Sequence, residues 1–333
     1  MTSRAYRAIG VSLCAGSLLF AFGDPVAAAT KVKTKATEAL PAEPTASAAP
    51  AARAADPAFA AFDDGRYLTA LALAKTAAAA GEPAANTLLG RMYAEGLGVA
   101  KDPQQAAEWY RKAADLGDAN AQFALGLMLV RGQGLKQDRT AAGDLFEKSA
   151  KAGIEAAKYN LGLLYISGDG RPADAKRAAA LITEAAKGGD PQARFDLGQM
   201  FANGAGVPAD DAQAARWTEL AAQAGLSDAQ VEYGVMLFKG RGVAPDKSRA
   251  AWYFTAAAEH GNPIGQNRLA NLYAYGVVYT KDLVTAAKWH LLARRAGVSD
   301  FKLDVFLAAL TPEQRKQADK DAADWLERNN PAP

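Results

Sequence analysis

One cysteine, Cys14, and two histidines, His260 and His290, are the whole supply of thiols and imidazoles in 333 residues. A lone cysteine cannot form a disulfide within the chain, so the folded part has to be held by its core. No Gly-x-Ser-x-Gly stretch occurs, and no histidine, cysteine or carboxylate cluster has the spacing of a metal site. Charge of one sign is also lacking: 38 Lys and Arg face 36 Asp and Glu. No basic run follows the N-terminal quarter, so nothing in the chain is suited to releasing counterions from a nucleic acid. The expectation is a protein that is not an enzyme, with no catalytic residue, no cofactor, no metal and no nucleic-acid partner.

What is present begins with an export pattern. Arg4 and Arg7 precede fifteen largely apolar residues, 8–22, followed by Gly23-Asp24-Pro25 and Ala27-Ala28-Ala29. That order is a signal peptide over residues 1–29 with cleavage after Ala29. The apolar core is short for a span of roughly 20 residues, so no stable membrane span is expected after cleavage; retention of the signal as an anchor is the alternative. Leu13 stands directly before Cys14, where a lipid-modified cysteine would want a small residue. Residues 30–55 are Ala, Pro, Thr and Lys with scarcely a large apolar side chain, which gives a disordered linker. The expected location is periplasmic or secreted.

The rest of the chain repeats. Leu89-Gly90 returns every 36 residues as Leu125-Gly126, Leu161-Gly162, Leu197-Gly198, Tyr233-Gly234 and Leu269-Ala270. A doubled glycine keeps the same interval, from Gly96 and Gly98 to Gly240 and Gly242, and only Gly276 survives in the sixth copy. Asp102, Asp138, Asp174, Asp210, Asp246 and Asp282 also recur. Apolar residues at 85, 89, 92 and 93, and again at 106, 109, 110 and 113, have helical spacing, so each unit is a helix pair. The aspartate caps the second helix, and Gln105 is placed for a capping box with Asp102. Gly117, Gly153, Gly189, Gly225, Gly261 and Gly297 end the second helices.

A mid-helix glycine costs about 1 kcal/mol relative to alanine, so the glycine after the leucine predicts close approach of two helix backbones. The doubled glycine predicts a connector, because one phosphate site needs one such loop and a turn in every repeat needs one in every repeat. In Lys239–Ser248, "KGRGVAPDKS", Asp246 and Arg241 occupy the places of the phosphate-loop glycines. No nucleotide is expected to bind.

The pattern Leu-Gly-x-x-Tyr-x-x-Gly-x-Gly-Val, then Asp, then Ala-x-x-Trp-Tyr-x-x-Ala-Ala-x-x-Gly, resembles the Sel-one-like repeat, a relative of the tetratricopeptide repeat. The resemblance covers residues 84–300 in six copies and implies an all-α, right-handed α-solenoid of helix-turn-helix units. Residues 56–83 are then an N-terminal helical half-repeat, with Leu73 at the place of Trp109. Residues 301–333 supply capping helices, the last opening at Thr311-Pro312-Glu313-Gln314 with Ala318, Ala322, Trp325 and Leu326 on one face. Recurring aromatics such as Trp217 are expected in the core.

In tetratricopeptide-like arrays the first helix lines the concave side, so the resemblance implies that the variable column set of positions 84, 88, 91 and 95 faces a groove. Its contents are Arg91, Glu95, Arg131, Asn160, Asp196, Gln199, Asn203, Glu232, Lys239, Arg268, Asn271 and Tyr275. The resemblance supports an exported adaptor or scaffold that binds a protein or peptide partner there. A cell-envelope enzyme or glycan-binding protein acting on wall polymers is the alternative, distinguished by a catalytic pair in the groove.

Overall fold

The computed structural model describes residues 56–329; the signal and linker expectations fall on residues 1–55, outside the described part. The described residues form sixteen helices and no strand. Two compact units meet in sequence at Ala185 and Ala186. The first unit contains α1 (Pro57–Asp63), α2 (Tyr67–Ala79), α3 (Pro83–Glu95), α4 (Pro103–Asp115), α5 (Ala119–Arg131), α6 (Arg139–Lys151), α7 (Glu155–Ser167) and most of α8 (Ala175–Lys187). The second contains α9 (Pro191–Asn203), α10 (Asp211–Gln223), α11 (Ser227–Lys239), α12 (Lys247–Glu259), α13 (Pro263–Tyr275), α14 (Leu283–Arg295), α15 (Phe301–Ala308) and α16 (Pro312–Asn329). Helices α3 to α14 alternate as first and second members of 36-residue pairs.

Each recurring aspartate makes two connections. Its backbone N–H donates to a carbonyl near the end of the first helix, as Asp102 does to Tyr93 at 2.9 Å and Asp246 to Leu237 at 2.9 Å. Its side chain then accepts from the first amides of the second helix, Gln104 and Gln105 for Asp102 and Arg249 for Asp246. The connector is thereby fixed at both ends, and orphan amides at the helix start are satisfied. The expected capping box at Asp102 does not form, because the Gln105 amide turns to Glu108 at 3.4 Å instead. A reciprocal box does close at Thr311 and Gln314, with bonds of 3.0 and 3.2 Å starting α16.

The glycine after the leucine has a different reason from the one expected. A Cβ on Gly234 would lie 2.6 Å from the Phe254 ring, and the same distance separates Gly90 from Tyr110 and Gly126 from Phe146. In these copies the glycine admits an aromatic ring of the second helix rather than its backbone. Where that ring is replaced by Thr218, backbone does close in, with the Ala214 carbonyl 3.2 Å from the Cβ position of Gly198. The place of Trp109 varies in depth: Trp109, Leu145 and Trp217 are half-buried, Tyr253 and Trp289 are buried, and the next residue, Tyr110, Phe146, Ile182, Thr218, Phe254 or His290, is buried in every copy. Leu73, at the place of Trp109, is exposed.

The second glycine of the turn also packs. Its Cβ would overlap the start of the preceding second helix, at Tyr67 for Gly98, Pro103 for Gly134, Arg139 for Gly170 and Asp211 for Gly242. This contact joins one helix pair to the next. In the sixth copy Val278 holds the same left-handed backbone, φ 68°, and is the non-glycine residue with positive φ among those described. A β-branched residue is strained there. Val278 is about half exposed, so little packing is lost on removing its side chain. Val278→Gly is expected to raise stability by about 1 kcal/mol, the left-handed penalty of roughly 1–2 kcal/mol less the entropy cost of glycine. Denaturant unfolding measures it; a lower midpoint would show that the valine side chain contributes packing instead.

Helix α16 packs on α14, the second helix of the sixth pair. Ala318, Ala322 and Trp325 of α16 are buried, Trp325 meets Trp289 edge to face at 5.9 Å, and its indole N–H donates to Glu259 at 2.9 Å. Among the described residues no helix is long and apolar enough to cross a membrane.

Candidate functional site

The first helices of successive pairs lie beside one another within each unit, α3 touching α5 and α11 touching α13. The variable positions on them fall into columns of different depth. The last helical residue before the turn is exposed in all six copies: Glu95, Arg131 and Ser167 in the first unit, Asn203, Lys239 and Tyr275 in the second. Ser167 completes this column and escapes notice in the sequence because a small polar residue at a helix end is common. The column that begins with Leu88 borders the core. Leu88, Asp196 and Arg268 are buried there, and Asn160 and Glu232 are half-buried. In the third column Asn271 is buried and Arg91 and Gln199 are half-buried. The variable stripe is therefore one exposed column flanked by two that sink toward the interior.

Several of these side chains already have partners. Arg91 pairs with Glu95 at 2.7 Å and lies over the Phe62 ring. The Asn160 amide donates to the Ala156 carbonyl and that of Asn203 to Gln199, so both are partly spent on their own helix. Gln192 donates to Asp196 at 3.1 Å.

In the second unit the stripe gathers a polar cluster. Arg241, from the middle of a glycine turn, pairs with Glu232 at 2.5 Å. Asn267 and Asn271, one helical turn apart on α13, both donate to Asp300, at 3.2 and 3.1 Å. Asp300 also caps α15 through the amides of Lys302 and Leu303. Burial pulls the Arg268 guanidinium below its ordinary pKa, opposed by the carboxylates of Asp300 and Glu232. Tyr275 stays 39% exposed and meets Phe306 of α15 edge to face at 5.2 Å. Asn267, Asp300, Arg241 and Phe306 were missed in the sequence. The i, i+4 asparagine pair on either side of Arg268 in α13 was the available signal.

Burial works to raise the Asp300 pKa, yet the hydrogen bonds from Asn271, Asn267 and two backbone amides together hold it below the usual carboxylate value. A depressed folded-state pKa contributes stability above the unfolded value of about 3.9, and that contribution is lost as pH falls through the folded value. Asp300→Asn is therefore expected to lower thermal stability at pH 7, where the ionised carboxylate makes its full contribution, and to flatten the further loss below about pH 4. Melting curves at pH 7, 4 and 3 check it; a variant with the wild-type acid profile would show that other carboxylates carry the acid sensitivity.

Both histidines have structural surroundings. His260 is exposed, with Nδ1 3.4 Å from Gln230. His290 does meet a carboxylate, Asp304, at 2.9 Å, with Arg294 3.2 Å from the same oxygen. The pair sits between second helix α14 and cap helix α15, with the His290 side chain 1% exposed, so no substrate reaches the imidazole. It fills the place of Tyr110, Phe146 and Phe254, opposite Ala270 instead of glycine. Among the described residues no group of three or more His, Cys, Asp and Glu is arranged to hold a metal.

The helix pairs coincide with a known sequence family. The Sel1 repeat model matches six consecutive segments, 83–118, 119–154, 155–190, 191–226, 227–262 and 263–298. The chain belongs to the Sel1 repeat family. Sel1 repeats generally serve as protein–protein interaction scaffolds. A Sel1 repeat protein from Oxalobacter formigenes is 29% identical, with 73% of this chain and 97% of that one covered and a TM-score of 0.65. A protective antigen of uropathogenic Escherichia coli with an SLR fold is also 29% identical, TM-score 0.67, over 79% of this chain. This Sel1 chain spans 56% of the length of that antigen. No curated protein matches it.

Proposed function

We propose that this Sel1 repeat protein is an exported adaptor that binds a protein or peptide of the cell envelope along its first helices. The observation that carries the reading is the exposed column Glu95, Arg131, Ser167, Asn203, Lys239 and Tyr275. It varies in charge and shape from copy to copy, whereas the glycine directly after it recurs in all six. In a repeat scaffold a freely varying exposed position is where partner-specific contacts are made without cost to the fold. Tyr275 anchors the column, since aromatic side chains dominate binding hot spots. Export rests on the order of charge, apolar core and small residues in 1–29. It is in keeping with the relative that is a protective antigen, a protein the immune system meets.

Photo-cross-linkers placed at 203, 239 and 275 are expected to capture an envelope partner, and one at the exposed Trp252 of second helix α12 is expected to capture none. Capture from 252 alone would move the binding face to the second helices. The N-terminus of the mature protein is expected near Thr30; Met1 retained in a cytosolic fraction would refute export.

A further inference from the structure

Helix α15 is apolar on every side and covered on only one. Leu303 and Leu310 are buried, and Phe306 and Leu307 are half-buried. The exposed residues of the helix and its C-cap are Phe301, Lys302, Val305, Ala308 and Ala309, of which Lys302 alone is charged. At 81%, Phe301 is the most exposed large apolar side chain among the described residues, and Val305, one turn on, is 54% exposed. The helix is not free to turn and hide them: Asp300 at its N-cap is held by Asn267 and Asn271, Asp304 by His290, and Phe306 lies against Tyr275. Single exposed apolar residues are ordinary. A continuous apolar face on a terminal helix is not, because the last elements of a repeat array need a polar outer surface to stay soluble. Helix α16 meets that need, with Glu313, Lys316, Asp319, Lys320 and Glu327 exposed, and α15 does not.

The sizes along this face decide what covers it. At roughly 100° per residue, Val305 lies at the middle of the exposed face, with Phe301 and Ala308 to one side and Lys302 and Ala309 to the other. The large side chains therefore precede the centre and the small ones follow it. A second copy laid antiparallel, with the two-fold axis at Val305, sets Phe301 on Ala308, the Lys302 stem on Ala309 and Val305 on Val305. Each large side chain then meets a small one, and the two Lys302 residues stand about 9 Å apart along the helix axis. A parallel copy instead crowds both phenylalanines and both lysines at one end and leaves four alanines facing a gap at the other. We propose that α15 pairs antiparallel with α15 of a second copy of this chain. Self-complementarity of this kind is what a two-fold interface requires, and an unlike partner has no need of it. The helix has eight residues and is about 12 Å long. The contact is accordingly smaller than the roughly 1,200 Å² of a standard interface, and the dimer belongs to the weak, reversible class.

Sedimentation of the chain across a concentration series is expected to show a reversible monomer–dimer equilibrium with a Kd of roughly 0.1–1 mM. Phe301→Asp is expected to weaken it at least about tenfold, since aromatic anchors dominate such contacts. The same variant is expected to melt like wild type, because the ring is exposed. Cross-linking then reads the register, in chains that carry Cys14→Ser so that the introduced thiol is the only one. A short bismaleimide is expected to join Lys302→Cys to Ala309→Cys when the two variants are mixed, and Val305→Cys to itself, while Lys302→Cys alone gives little product. A chain that stays monomeric at about 1 mM, the upper end of the Kd expected for so small a contact, would overturn the proposal, the face then being covered within the chain or by another protein. Association that survives Phe301→Asp would overturn it by placing the dimer on another surface. Preferential joining of Lys302→Cys to itself would overturn it by setting the helices parallel.

Discussion

Phe254→Ala is expected to destabilise the second unit by about 3–5 kcal/mol, the usual cost of deleting a fully buried aromatic ring. Trp252→Ala, two residues away on the same helix, is expected to cost about 1 kcal/mol or less. Residue size alone predicts the opposite order. Phe254 is wholly buried and its ring fills the space left by the missing side chain of Gly234, whereas Trp252 is 62% exposed and touches Tyr253 edge to face at 4.8 Å. Gly234→Ala tests the same contact from the other side. Its Cβ would stand 2.6 Å from the ring, and overpacking of that kind costs typically about 1–3 kcal/mol. Combining Gly234→Ala with Phe254→Leu is expected to cost less than the sum of the two single changes, because the smaller side chain makes room. Urea unfolding followed by circular dichroism gives the energies. Equal losses at 252 and 254, or strict additivity at 234 and 254, would mean that the ring and the glycine are not packed as one contact.

Gly242→Ala is expected to cost about 2–5 kcal/mol, and Gly225→Ala about 1–2 kcal/mol. Both glycines have left-handed backbones, φ 69° and 88°, so both variants carry the same conformational penalty. They differ in space. Nothing lies within 4 Å of a Cβ at Gly225, while one at Gly242 overlaps the Asp211 carbonyl at the start of α10. The difference between the two variants isolates the contact that joins one repeat to the next. It also bears on the resemblance of the turn to a phosphate loop. A phosphate site needs converging N–H donors, and here the glycine is pressed against a carbonyl oxygen, which repels an anion. Calorimetry with ATP is expected to show no binding. If Gly225→Ala proved as damaging as Gly242→Ala, backbone strain and not repeat docking would be what the turn glycine serves.

The period of 36, the helix pairs, the aspartate caps and the turn glycines were determined by the sequence by itself, because each depends on residues close along the chain. A helix face repeats every few residues, and a cap acts within one turn. Six copies then served as an internal comparison, separating what the fold requires from what it leaves free. Depth was decided only by the tertiary structure. Trp217 and Thr218 are neighbours on one helix, and which of them enters the core depends on how α10 is rotated against α9, where Thr218 meets Gly198. A few tens of degrees of rotation exchange the two, and periodicity does not resolve that. The variable stripe shows the same limit. Its last column is exposed because it sits beside a turn, which the sequence indicates. Arg268 and Asn271 sink because α15 brings Asp300 to them from outside the repeat, about thirty residues along the chain, and no local pattern encodes that meeting.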